Sequence, residues 1–179
     1  MTTFYFVRHG EPAYDTVGDW SGFPFGKECA GLTKAGCEQI KHSAKRLLPY
    51  KPACILSSPY TRALQSAAIL SKELKADIVV EHDLHEWETD RSHQIRDEKA
   101  LVELCRQFDK NRGIYPDGEE PLWESREMMK NRVESVLMRW LDYDCIVVAG
   151  HALMMQSVSG IERPLAYGEI VKVECGISK

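Results

Sequence analysis

The first constraint is a run of large apolar, β-favouring residues, Phe4-Tyr5-Phe6-Val7, that ends on Arg8-His9-Gly10-Glu11. The run reads as a buried strand. A guanidinium taken out of water without a partner costs several kcal/mol. An Arg and a His at the end of such a strand therefore meet either solvent at a loop edge or something anionic. In an α/β sheet, ligands bind at the carboxyl ends of strands. The arrangement recurs in this chain. Ile146-Val147-Val148-Ala149 is a second apolar strand, and it ends on Gly150-His151. Ile55-Leu56-Ser57-Ser58-Pro59 is a third, followed at once by Thr61-Arg62-Ala63 at a helix start. Three strands can thus deliver Arg8, His9, Arg62 and His151 to one rim.

Between these strands the pattern changes period. Leu32 to Gly36 opens a helix with Thr33 as its N-cap. Cys37, Ile40, Ala44, Leu47 and Leu48 then share one face, and Pro49 and Pro52 end it. Pro59 suits a first helical turn, and Ala63, Ala67, Leu70 and Leu74 give the next helix its buried stripe. Arg62 falls in that first turn, where free N–H groups and the helix dipole add to its charge. Ile78–Val80 is a short strand, residues 100–108 are helical, and a long helix is expected over 122–141. Its inward residues are Met129, Val133, Val136, Leu137 and Trp140. A further helix spans 152–159, and Ile170 to Glu174 forms a last strand at a sheet edge. Strands alternating with helices predict a three-layer α/β/α fold, with a mostly parallel central sheet covered on both faces. With no internal repeat, low-complexity segment or linker, one domain is expected over residues 1–179.

Two segments resist this reading. Residues 12–31 form a long Gly-, Pro- and aromatic-rich stretch, of a length usually functional or mobile. Its Trp20, Phe23 and Phe25 either wall a pocket or pack on one another. Residues 84–96 are dense in charge and read as a solvated surface segment. Both are expected to border whatever the rim binds.

Composition excludes several classes. The formal net charge of −4 argues against broad electrostatic binding to nucleic acid, so an anion site must be local. No stretch resembles a signal sequence or is long enough to cross a bilayer, so cytosol is the expected compartment. The six cysteines lack the close spacing of a zinc or redox motif, and mostly buried free thiols are expected.

Taken together, Arg8-His9-Gly10, the Leu32-Thr33-x-x-Gly36-x-x-Gln39 helix opening, Ser57-Ser58-Pro59-x-x-Arg62-Ala63 and Gly150-His151 resemble the histidine phosphatase superfamily, also called phosphoglycerate mutase-like. Their order and spacing agree over nearly the whole chain. The resemblance implies that His9 is a nucleophile that becomes phosphohistidine, with Arg8, Arg62 and His151 around the phosphoryl group. It also implies a carboxylic acid in a Leu-x-Glu segment after the third strand, which Leu84-His85-Glu86 fits, making Glu86 the candidate proton donor. The expected substrate is a small phosphate ester, with no metal and no cofactor. The chemistry is consistent with this. Two guanidiniums clamp phosphoryl oxygens by forked hydrogen bonds, and a protonated His151 would add a third charged donor. Neighbouring cations lower the pKa of His9 and keep it nucleophilic.

The chain departs from the pattern in places. Glu11-Pro12 stands where many relatives have Glu-Thr or Glu-Ser, and Asp15 where many have Asn. Ser21 and Gly22 are candidates for the hydroxyl and N–H that relatives place there. The Gly-x-x-Glu-Gly continuation after Glu86 is absent, which leaves Glu88 as an alternative acid. Ala152 replaces a common Gly. The leading expectation is a metal-independent phosphomonoesterase. Alternatives are a phosphoglycerate mutase, for which the chain is short, a phosphohistidine-protein phosphatase, and a catalytically silent phosphate-binding module. Substrate identity and oligomeric state stay open.

Overall fold

The computed structural model describes residues 1–17, 26–95, 97–116 and 118–176. Among the described residues five strands form one sheet: β1 (Thr2–Arg8), β2 (Cys54–Ser57), β3 (Asp77–Val80), β4 (Cys145–Gly150) and β5 (Ile170–Cys175), in the order β3-β2-β4-β1-β5. The first four are parallel, and β5 joins the edge antiparallel to β1. Five α-helices accompany them among the described residues: α1 (Lys34–Leu47), α2 (Thr61–Leu74), α3 (Glu98–Lys110), α4 (Arg126–Met138) and α5 (Ala152–Ser159).

The alternation of strand side chains decides where the helices go. Phe4 and Phe6 point to one face with Leu56, Ile146 and Val148, against Met129, Val133, Val136 and Leu137 of α4 and Met154 and Met155 of α5. Tyr5 and Val7 point to the other with Ile55, Val147 and Ala149, against Ile40, Ala44 and Leu47 of α1 and Ala67 and Leu70 of α2. A fully buried Phe or Leu is worth about 1.5–3 kcal/mol, and both faces carry several. The result is the expected three-layer α/β/α fold. Beside it, Leu104 and Phe108 of α3 close on Trp123.

The register brings the polar strand ends level. Arg8 pairs with Gly150, Ser57 with Ala149, and Val80 with Ser57. The ladder runs one step further, with His9 N donating to Gly150 O at 2.9 Å and Ser58 N to Ala149 O at 3.1 Å.

Several elements differ from the sequence reading. Helix α4 starts at Arg126 rather than near 122, because the Ser125 hydroxyl accepts from Met128 N at 3.1 Å and caps it there. The apolar residues that extended the pattern, Leu122 and Trp123, belong to the preceding loop, where Trp123 is buried against α3. Helix α3 is longer than expected, since Asp97 caps it. The 84–96 segment is not simply solvated: Leu84 and His85 are buried and residues 86–90 are half-buried. The cysteines are free, but only Cys54 is buried, with Cys29 exposed and the other four between. Among the described residues no helix is long and apolar enough to cross a membrane.

The segment after His9 is pinned by close backbone approach. A Cβ on Gly36 would lie 2.4 Å from Glu11 O, and one on Gly10 2.3 Å from Gly36 O. Around this contact Thr33 N donates to Glu11 O at 2.9 Å, Thr33 Oγ1 to Glu11 Oε2 at 2.6 Å, and Glu11 N to Gln39 Oε1 at 2.9 Å. Gly36→Ala should therefore lower stability by about 1–3 kcal/mol, the usual cost of overpacking, although alanine is otherwise the better helix former. Urea unfolding of both proteins checks this; an unchanged or higher midpoint would contradict the close packing.

Candidate active site

His9 follows the last β1 residue and is 4 % exposed. Its Nδ1 lies 2.8 Å from Gly10 O. A carbonyl oxygen only accepts, so Nδ1 carries the proton and Nε2 keeps its lone pair. Burial, reinforced by the charges of Arg62 and Arg8, lowers the His9 pKa to about 3, against the bond to Gly10 O, which raises it. The ring is thus neutral at physiological pH with its nucleophilic nitrogen fixed.

His151 begins α5 as its N-cap and is fully buried. Its ring centroid is 5.2 Å from that of His9, in an edge-on arrangement. Nε2 lies 2.8 Å from Ser58 Oγ, which accepts from Tyr60 N at 3.3 Å. In the tautomer where the Ser58 hydroxyl donates to Nε2, the ring proton of His151 sits on Nδ1. Burial, then the charge of Arg62, holds the His151 pKa well below its ordinary value. In the free protein the pocket's positive charge is therefore that of two guanidiniums, not of three cations as a protonated His151 would make it.

Those guanidiniums come from opposite sides. Arg8 Nη1 donates to Leu165 O, and its Cζ lies 4.2 Å from the Tyr167 ring centroid. Arg62, in the first turn of α2, donates from Nη1 to Lys27 O at 3.1 Å and lies 5.1 Å from the Tyr60 ring and 5.9 Å from that of Tyr14. Among the described residues four buried side-chain polar atoms have no hydrogen-bond partner: Arg8 Nε, Arg62 Nε, His151 Nδ1 and Trp123 Nε1. Three of the four belong to this cluster. Buried polar groups are nearly always satisfied, so three donors around one imidazole call for an anion.

Glu86 reaches the same place from the turn after β3. Its Oε1 accepts from Trp87 N and Met154 N, both at 3.1 Å, and its Oε2 from Leu153 N at 3.3 Å. The carboxylate thus rests on the first turn of α5, directly after His151. Burial raises its pKa, outweighing these N–H groups and Arg62, which lower it. In the same turn, donor atoms of His82, Asp83 and His85 all lie within 4.8 Å of one another.

The structure brings Arg8, His9, Arg62, His151 and Glu86 together at the carboxyl ends of β1, β2 and β4. Ser21 and Gly22, with Trp20, Phe23 and Phe25, lie outside the described residues, and Asp15 is exposed. Glu88 turns toward two imidazoles instead, its Oε1 4.0 Å from His85 Nε2 and 3.8 Å from His93 Nε2. Nothing in the sequence pattern marks Ser58 as the partner of His151, or Tyr60 and Tyr167, whose positions are isolated, as neighbours of the two arginines.

The model of the histidine phosphatase superfamily, branch 1, matches residues 4–161, so the chain belongs to that superfamily and is by class a phosphatase. A protein of Proteus mirabilis named probable phosphoglycerate mutase GpmB is 24 % identical over 165 residues, spanning 90 % of this chain and 71 % of that protein. Bacillus stearothermophilus YhfR superposes with a TM-score of 0.74 at 18 % identity, covering 99 % of this chain and 93 % of that one. The mycobacterial glucosyl-3-phosphoglycerate phosphatase gives a TM-score of 0.70 at 15 % identity, covering 97 % and 90 %. The two structural likenesses concern the fold.

The depressed His9 pKa has a consequence for stability. Unfolded chains protonate histidine near 6.5, whereas folded His9 stays neutral down to about 3. Between these values the unfolded state binds more protons, so stability falls as pH falls, by about 1.4 kcal/mol per pH unit for each such imidazole. His9→Asn should flatten the curve by about that slope between pH 6 and 5, measured by urea unfolding. Glu86, whose raised pKa acts with the opposite sign, cancels in the comparison. An unaltered slope would mean that His9 is not held neutral.

Proposed function

We propose that this chain is a metal-independent phosphomonoesterase, one domain over residues 1–179, that acts in the cytosol on a small phosphorylated metabolite through a phosphohistidine at His9. The observation that carries the reading is the neutral His9, its Nε2 lone pair fixed, clustered with Arg8, Arg62 and His151, whose Nε, Nε and Nδ1 atoms have no hydrogen-bond partner among the described residues.

A phosphoryl group in transfer carries its charge on three equatorial oxygens, and these donors suit them. In the first step the His9 Nε2 lone pair forms the N–P bond as the ester P–O bond breaks. The departing oxygen takes a proton from the Glu86 carboxyl, whose raised pKa keeps the proton available. In the second step the Glu86 carboxylate removes a proton from water, the water oxygen bonds to phosphorus, and the N–P electrons return to Nε2. Inorganic phosphate leaves and Glu86 is protonated again. The positive charge comes from Arg8 and Arg62, so neither step requires a metal ion.

The mutase name of the P. mirabilis relative favours a second reading, in which the phosphoryl group of His9 returns to a second hydroxyl of a phosphoglycerate. Product analysis separates the two, since only the esterase releases free phosphate stoichiometrically. A silent phosphate-binding module would give neither product.

Activity on an aryl phosphate should survive EDTA; loss on chelation, restored by Mg²⁺ or Zn²⁺, would count against the reading. Glu86→Gln keeps size but cannot donate a proton. It should reduce kcat/KM about 10²–10⁴-fold for an alkyl phosphate, the usual worth of general acid catalysis, and far less for p-nitrophenyl phosphate, whose leaving group needs little protonation. Equal small losses on both substrates would move the acid role from Glu86 to Glu88.

A further inference from the structure

The Glu86 carboxyl is aimed by its backbone, and that backbone is held by one ion pair. Arg132 lies on α4, 13 % exposed at its side chain, and pairs with Glu124, 5 % exposed. Arg132 Nε donates to Glu124 Oε1 at 2.6 Å and Nη2 to Oε2 at 2.9 Å, a forked arrangement. The same guanidinium also donates to three carbonyls of the turn that carries Glu86. Nη1 reaches Asp83 O at 2.5 Å and His85 O at 3.0 Å, and Nη2 reaches Glu86 O at 3.3 Å.

Glu124 holds the other side of that turn. Its Oε2 accepts from Glu88 N at 3.2 Å, its backbone N donates to Glu88 O at 3.0 Å, and its carbonyl accepts from Trp87 Nε1 at 2.6 Å. Every residue from Asp83 to Glu88 except Leu84 is bonded to Arg132 or Glu124, and Leu84 is itself fully buried in the sheet's core. The pair touches neither His9 nor the orphaned donors among its hydrogen bonds. An ion pair this buried is weak evidence for a stability role. A planar five-donor fork is suited to fixing several carbonyls at once.

We propose that Arg132 and Glu124 are positioning residues for proton donation by Glu86. They hold the 83–88 turn so that the carboxyl lies on the first turn of α5, within reach of an ester oxygen at His9. The proposal rests on the reading of Glu86 as the acid, and Glu86→Gln is its control.

The test measures kcat/KM, which reports on events through the first irreversible step, for an alkyl phosphate and for p-nitrophenyl phosphate. Arg132→Lys keeps the charge but loses the fork. The paired variant Arg132→Met with Glu124→Gln removes the ion pair without leaving a buried charge alone. Each should lower the alkyl phosphate value about 10- to 100-fold, the scale of a misplaced catalytic group, and the p-nitrophenyl phosphate value less than about threefold. Affinity for inorganic phosphate should be unchanged. On a Glu86→Gln background Arg132→Lys should add no further loss, because it acts through Glu86. Equal losses on the two substrates, or a full additional loss on that background, would show a merely structural role and overturn the proposal. If the paired variant does not fold, Arg132→Lys alone decides. A Glu86→Gln protein with no leaving-group selectivity would overturn the acid assignment and the proposal with it; a selective Glu86→Gln beside an unselective Arg132→Lys would overturn the proposal alone.

Discussion

The parallel pairing of β1 with β4 is the constraint on which the site depends. It places Arg8 opposite Gly150 and, one residue on, lets His9 N bond to Gly150 O. His9 and His151 therefore emerge side by side from two central strands, and burial follows from the layers above and below the sheet. Burying two imidazoles near two guanidiniums is unfavourable taken alone. Carbonyls of Leu165 and Lys27, the rings of Tyr167 and Tyr60, and neutrality of both histidines offset part of it. On the proposed reading the remainder is what a bound dianion would relieve, and the same electrostatics would favour a phosphoryl group.

Glu86 shows opposing forces decided by environment. Three backbone N–H groups and Arg62 favour its charged form, while burial favours the neutral one and wins. The balance of these forces raises its pKa, the direction that suits a group giving up a proton. That balance holds only while the carboxyl stays on the first turn of α5. The turn carrying it has no regular secondary structure from 85 to 89, so its order comes from side chains, those of Arg132 and Glu124 above all.

Much of this was legible in the chain. Strand ends could be read because apolar runs such as Phe4–Val7 stop abruptly on polar residues, and the sheet then brings those ends to one rim. The boundary of α4 was not legible, because Leu122 and Trp123 continue an apolar rhythm while serving α3 instead. The partnership of Arg132 with the 83–86 carbonyls was hidden for a different reason. Backbone acceptors leave no mark on residue identity, so only the fold reveals which cation meets them. His85 falls in the segment that reads as solvated, yet its burial and its bond to Glu86 O make it part of the turn that carries Glu86.

The most direct test is to find the phosphoryl group on the protein. Enzyme in excess is mixed with a labelled aryl phosphate, quenched in alkali within milliseconds, digested, and the labelled peptide sequenced by mass spectrometry. The account predicts one label, stable to base and lost in acid, on His9, formed and discharged at least as fast as turnover. Turnover with the label on His151 or on a carboxylate, or with none on His9 at any time, would contradict it.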